Sequence, residues 1–423
     1  MFFNVSGGPF GVEGLAGSVG PGVAVLLLVA TPLLYSVPET LIIGELASML
    51  PAEGGYYVWV TRAFGRFWGF TNGWLSWMYS LIDMAIYPVL FLQYFRFFAG
   101  DLGGFSGWLL ALALIWGATW LNLRGTRVVG AASGWFTAAV LTPFAALAVA
   151  AVGRWVLGGH AAALARDPFR ATGASFVGAL GLGISQSVWN YSGWDNASTV
   201  GGEIRDAGAT YPRALFRALP LVTAAYLLAV VPALAVTEWR TWTDGAWPAI
   251  ATAVAGPWLA AWIAVAGMVS AFALFSALLL VYSRIPLVLA RDGLLPSALG
   301  VTDDRGTPRR AVVASAIGYS IFAVLSFGGL LAADVLLYTT ALVLEFAALV
   351  ALRRREPGLR GAFRVPLGEP ALVALAALPA LVLCAAVVME VRSRTVGLLG
   401  VVVAAVFGLA GPAAYAAARR ARP

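Results

Sequence analysis

Lysine is absent from this 423-residue chain, and there is one cysteine and one histidine. Cys384 lies in an apolar run and His160 in a polar loop, so no disulfide framework and no thiolate or imidazole metal cluster can be assembled. A membrane-embedded enzyme would need such a convergent group. The expectation is therefore a protein that is not an enzyme, with no cofactor and no metal. No Gly-x-x-x-x-Gly-Lys-[Ser/Thr] loop exists, so ATP does not drive it directly. Gly181-Leu182-Gly183 sits inside an apolar run and is no dinucleotide fingerprint. Charge is scarce as well. Only 11% of residues are charged, against about 25% in a soluble domain.

Hydrophobic residues make up 61% of the chain, and mean hydropathy is +0.85. Apolar stretches long enough to cross a bilayer recur throughout. The pattern predicts about twelve helices, at roughly 1–20, 22–48, 66–98, 107–122, 127–152, 174–200, 213–237, 257–290, 310–328, 331–352, 370–390 and 395–418. The net charge of +7 is not a nucleic-acid footprint, because the arginines sit in short loops between spans. With the N-terminus cytoplasmic, all but Arg96, Arg154, Arg166, Arg170, Arg240, Arg392 and Arg394 fall on the cytoplasmic side. That bias predicts a multi-pass protein of the cytoplasmic membrane with both termini inside. The lipid bilayer is its one evident partner besides small molecules; no nucleic acid and no obligate protein partner are expected.

Two spans are interrupted in the same way. The first carries Asn4-Val5-Ser6-Gly7 and the sixth Asn190-Tyr191-Ser192-Gly193. They lie five spans apart, and an odd number inverts the second copy. Gly7-Gly8-Pro9 cannot run as an ordinary helix. Asn190 to Asn196 is too polar and turn-prone for lipid. Broken backbone at membrane depth survives only against protein or a water-filled cavity. Paired breaks in two halves point to a transporter site. Simple kinks are the plainer reading, but the Asn and Ser at both breaks weigh against it. The first span is expected to be truncated: only Met1-Phe2-Phe3 precede Asn4, whereas the sixth runs from Ala174 to Trp189 before Asn190.

Ser6-Gly7-Gly8-Pro9-Phe10-Gly11, Pro51-Ala52-Glu53-Gly54-Gly55-Tyr56-Tyr57 and Phe363-Arg364-Val365-Pro366-Leu367 resemble motifs of the amino acid–polyamine–organocation superfamily. Asn4 to Glu13, Ser36-Val37-Pro38-Glu39, Asp83 with Tyr87-Pro88-Val89, Trp194-Asp195-Asn196-Ala197-Ser198-Thr199 and Leu344-Glu345-Phe346 resemble its branch of plant polyamine uptake transporters and L-type amino acid transporters. The resemblance covers nearly the whole chain. It implies an all-α membrane protein with a LeuT-type five-plus-five inverted repeat. Residues 1–152 would form helices one to five, 174–352 helices six to ten, and 370–418 two further helices, all in one transporter domain. It implies a secondary transporter of amino acids or related amines such as polyamines. Alternating access would be coupled to a proton or sodium ion, or replaced by exchange. The alternative is a transporter-like sensor that binds without net transport, although no soluble segment is long enough for an output domain.

In that architecture the freed N–H groups at Ser6, Gly7, Gly8, Ser192 and Gly193 favour an anionic ligand group such as a carboxylate. Freed carbonyls near Asn190 would take an amine. The resemblance places Trp189 where an aromatic lid covers substrate; an ordinary packing residue is the alternative. Intramembrane carboxylates are costly and face a cavity or a partner. Asn72, Ser76, Ser80, Asp83 and Tyr87 follow steps of four and three, forming one polar stripe. Asp83 is read as an amine or proton site, with Tyr87 beside it. Glu39, Asp195 and Glu345 are candidates for coupling, gating or bracing, with Asp195 alternatively capping the broken helix. Ser270 and Ser276 are candidates on the sodium reading. The plant branch carries acids in the eighth span where this chain has Ser276 and Leu278, which turns expectation from polyamines toward ordinary amino acids. Some relatives use a lysine amine as the proton site; without lysine, coupling falls to a carboxylate, to sodium or to exchange.

Overall fold

The first span folds as two short helices with irregular backbone between them: α1 (Phe2–Val5) and α2 (Glu13–Val19). The computed structural model describes residues 1–100, 102, 104–158, 176–323, 327–393 and 398–420. His160, Arg166, Arg170, Ala174, Arg394 and Arg422, on which part of the sequence reading rests, lie outside them. Gly8 and Gly11 take φ of +90° and +86° in the first break, a region closed to most side chains. The second span is α3 (Pro21–Thr31) and α4 (Val37–Met49), joined by a π turn at Pro32–Ser36. A short helix that the span pattern misses, α5 (Tyr56–Phe64), precedes the long α6 (Arg66–Ala99). Then come α7 (Gly104–Asn122) and α8 (Thr126–Gly158).

The single span expected over 174–200 is corrected. α9 (Phe176–Asn190) stops at the break, and only a 3₁₀ turn, Asn196–Thr199, follows. Gly193, at φ +97°, turns the chain there. α10 (Ala207–Val236) leads through a loop to α11 (Trp247–Ala255), a second short helix missing from the expected spans. The span expected at 257–290 is two helices, α12 (Pro257–Tyr282) and α13 (Arg284–Arg291). Pro286 lacks the N–H that would have bonded the Tyr282 carbonyl, so the helix breaks between them. α14 (Arg309–Phe322), α15 (Phe327–Arg355), α16 (Glu369–Ser393) and α17 (Leu398–Arg420) complete the chain.

Among the described residues every named element is helical, and nine stretches are long and apolar enough to cross a membrane. The expected first, sixth and ninth spans fall short of that length. Two of them are broken, and α14 is 14 residues long. α6 and α12 form the centre: 72% of the apolar window is buried in each, against 11% in α17. α17 therefore presents its apolar surface to lipid, and the cavity forms beside α6 and α12.

Arginines staple one end. Arg353 forks onto Glu45, joining the ends of α15 and α4. Arg284, 1% exposed, pairs with Glu203 at 2.8 Å, and Arg291 pairs with Glu53. Arg62 grips Glu356 and holds its carboxyl below the usual carboxylate range. At the opposite end the α10–α11 loop folds inward, with Trp239, Trp242 and Trp247 buried. A Cβ on Gly17 would stand 1.8 Å from the Trp242 carbonyl oxygen, and one on Gly14 2.1 Å from Asp244 Oδ1. Glycine is what lets α2 lie directly on this loop.

Candidate functional site

The two breaks meet. A Cβ on Gly193 would come within 2.6 Å of the Asn4 carbonyl oxygen. Tyr226 of α10 ties them together: its hydroxyl lies 2.8 Å from Ser6 Oγ and donates to the Asn190 carbonyl at 2.6 Å. Asn190 and Gln186 donate to the Gly11 carbonyl at 3.2 and 2.9 Å. Ser270 of α12 donates to the Gly7 carbonyl. The bonds to the Asn190, Gly11 and Gly7 carbonyls satisfy backbone groups that the breaks would otherwise leave buried and unpaired. A cavity opens where these segments converge, and Ser6, Gly7, Trp189, Asn190, Ser192 and Gly193 all line it. Asn190 remains helical, as the last residue of α9. Gly8 does not line the cavity; it forms the turn, and its N–H donates to Ser6 Oγ at 3.1 Å. The Gly193 N–H is also taken, by Tyr338 Oη at 3.0 Å. The Ser6 N–H donates to the Phe2 carbonyl at 2.8 Å and the Ser192 N–H to the Trp189 carbonyl at 3.3 Å, so four of the five N–H groups expected to receive a carboxylate are already engaged.

The α6 stripe turns inward as its spacing predicts. Asn72, Ser76, Ser80, Asp83 and Tyr87 are all buried. Asp83 and Tyr87 line the cavity. Three donors converge on the Asp83 carboxyl: Tyr87 at 3.0 Å and Trp189 Nε1 at 3.4 Å on Oδ1, and Tyr282 at 2.9 Å on Oδ2. The Trp189 and Tyr87 rings stack at 6.4 Å, so Trp189 is a wall that leans on Asp83.

A second acidic group lies behind the sixth-span break. Tyr338 Oη is 2.7 Å from Glu39 Oε1 and 2.8 Å from Asp195 Oδ1. Glu345 lies further along α15 and accepts from Asn72 Nδ2 at 3.3 Å. Ser276 is not brought to the cavity; Asn122 of α7 donates to its hydroxyl and its carbonyl at 3.1 and 2.9 Å. Among the described residues, no group of three His, Cys, Asp or Glu side chains is placed to hold a metal ion.

A family model described as amino acid permease matches residues 1–412. The chain belongs to the amino acid permease family. It is 35% identical over 413 residues to the polyamine transporter PUT1 of Oryza sativa subsp. japonica, covering 95% of this chain and 74% of that one. It is 35% identical over 377 residues to the polyamine transporter RMV1 of Arabidopsis thaliana, covering 87% and 74%. An uncharacterized transporter of Mycobacterium bovis is 29% identical over 370 residues, covering 75% and 76%. The protein is thus a multi-pass, permease-type membrane transporter.

The permease site contains residues that the sequence reading passed over. Asp334, on α15, lines the cavity at 6% exposure. Tyr79, Tyr226, Tyr282 and Tyr338 line it from four helices. A signal for Asp334 was present: Asp334, Tyr338, Ala341 and Glu345 run at steps of four, three and four, the rhythm that singled out Asp83. Glu13 was also passed over. Fully buried at the start of α2, it accepts from the backbone N–H of Gly11 and Gly245, at 2.8 and 2.9 Å, and from Tyr94 Oη. Among the described residues, the charged side chains lining the cavity are both acidic, Asp83 and Asp334, and no arginine reaches it. Such a site attracts cations and repels anions.

Proposed function

We propose that this permease is a secondary transporter of cationic amines, polyamines among them, across the cytoplasmic membrane. The observation that carries the reading is a cavity bounded by both helix breaks and holding two carboxyls, with no cationic side chain among the described residues. An ordinary amino acid would bring a carboxylate into that acidic field. Similarity to proteins named polyamine transporters supports the same substrate class. Asp83 takes an ammonium group, and Trp189 and Tyr87 wall it in. The breaks at 6–12 and 191–195 serve as the hinges of alternating access, in a five-plus-five inverted repeat of residues 1–152 and 174–352 followed by two helices at 370–418. The arginine-rich end faces the cytoplasm. Glu39, Tyr338 and Asp195 form the coupling group, with a proton as the coupling ion.

The test is uptake into reconstituted vesicles of radiolabelled putrescine, spermidine and a panel of amino acids, under pH or Na⁺ gradients. Accumulation of putrescine and spermidine driven by the pH gradient is expected. Uptake of neutral amino acids with none of amines would overturn the reading.

A further inference from the structure

Asp83 is a satisfied carboxyl, with three donors. Asp334 is its opposite. It is 6% exposed, its Oδ1 is wholly buried, and no described group donates to that oxygen. No described ion pair includes it; the arginines that form ion pairs do so with other carboxylates. A buried carboxyl without a partner is unfavourable unless something supplies protons and charge. Asp334 borders the same cavity as Asp83, so an occupant of that cavity is placed to supply the partner.

We infer that Asp334 is a second ammonium anchor and that the preferred ligand is a linear diamine or polyamine bridging Asp83 and Asp334. This rests on the amine-permease reading and adds to it the second pole and the shape of the ligand. The cavity that both carboxyls line suits a methylene chain. Tyr79 packs edge-on against Tyr282 at 5.6 Å and against Tyr338 at 5.2 Å, and Leu278 lines the same cavity. Ring faces pack on methylenes and attract ammonium groups. Tyr338 stands one helical turn from Asp334 on α15, about 6 Å along the axis. α12 contributes Leu278 to the lining and Ser276 faces α7, so α15 supplies the second negative charge.

The experiment measures binding of putrescine, which has two ammonium groups, and butylamine, which has one, to purified protein by calorimetry. The variants are Asp334→Asn and Asp334→Glu. The ratio of putrescine to butylamine affinity is expected to fall at least about tenfold in Asp334→Asn and to recover in Asp334→Glu, which keeps the charge. An unchanged ratio in Asp334→Asn overturns the inference while leaving the permease reading intact. A wild-type protein that binds neither amine overturns the amine-permease reading itself. Loss of both ligands in Asp334→Asn without recovery in Asp334→Glu means that the residue braces the fold, and also overturns the inference.

Discussion

Replacing Asp83 by Asn tests the first anchor with little change of shape. The carboxyl accepts from Tyr87, Trp189 and Tyr282. Asparagine keeps one acceptor oxygen for Tyr87 and Trp189. Its amide group then faces Tyr282, whose hydroxyl oxygen accepts from Asn196 Nδ2 at 3.2 Å and has a second lone pair to accept from the amide. Exchanging charge-assisted bonds for neutral ones costs about 1 kcal/mol in the empty protein, so folding is expected to survive. Ligand binding suffers far more. Removing one member of a desolvated ion pair typically costs about 2–5 kcal/mol, which is about 30- to 5,000-fold in affinity. The assay is calorimetric titration of purified wild type and Asp83→Asn with putrescine, with thermal unfolding as the control. A melting temperature near wild type with at least about 30-fold weaker binding is expected. Affinity within about threefold of wild type would refute the placement of an ammonium group at Asp83.

Tyr338→Phe removes the hydroxyl shared by Glu39, Asp195 and the Gly193 N–H. Each buried group left without a partner costs about 1–3 kcal/mol, so a clear drop in melting temperature and loss of pH-driven uptake are expected together. Arg353→Met strands Glu45, which is 1% exposed. Breaking such a pair costs about 3–5 kcal/mol, whereas replacing both partners with apolar residues restores much of it; melting curves of Arg353→Met alone and with Glu45→Leu check this. Gly17→Ala places a Cβ where the Trp242 carbonyl stands. Overpacking of about 1–3 kcal/mol is expected to loosen the loop at 237–246, read as faster hydrogen exchange there.

The breaks and Asp83 were legible because each is a local signal. Gly7-Gly8-Pro9 cannot be helical whatever surrounds it, and the Asn72-to-Tyr87 stripe is a periodicity along one helix. α5 and α11 were not legible: at nine residues each, they are too short to register as spans. The tyrosines of the cavity were invisible for another reason. Tyr79, Tyr226, Tyr282 and Tyr338 come from α6, α10, α12 and α15, and only the packing of those helices gathers them. Asp334 fell between the two cases. Its stripe obeys the helical rhythm, but the residue lies at the fourth position of the span expected over 331–352, too near its edge to read as a mid-membrane acid.

The glycine face of α2 carries a mechanical consequence. Backbone resting on backbone, as at Gly17 and Trp242, leaves no side chain whose rotamers could absorb a displacement. α2 and the α10–α11 loop therefore travel together, like a bolt fixed to its handle. Release at this end has to happen at the directional bonds on the far side, from Tyr94 to Glu13 and from Trp247 to the Pro9 carbonyl at 2.7 Å. Hydrogen bonds weaken steeply with misalignment, so that release is abrupt. The handle itself is reachable, since Glu238, Arg240, Thr241 and Thr243 are exposed. On the proposed alternating-access cycle, an antibody fragment gripping those four residues is expected to lock the bolt and stop transport without ever entering the cavity.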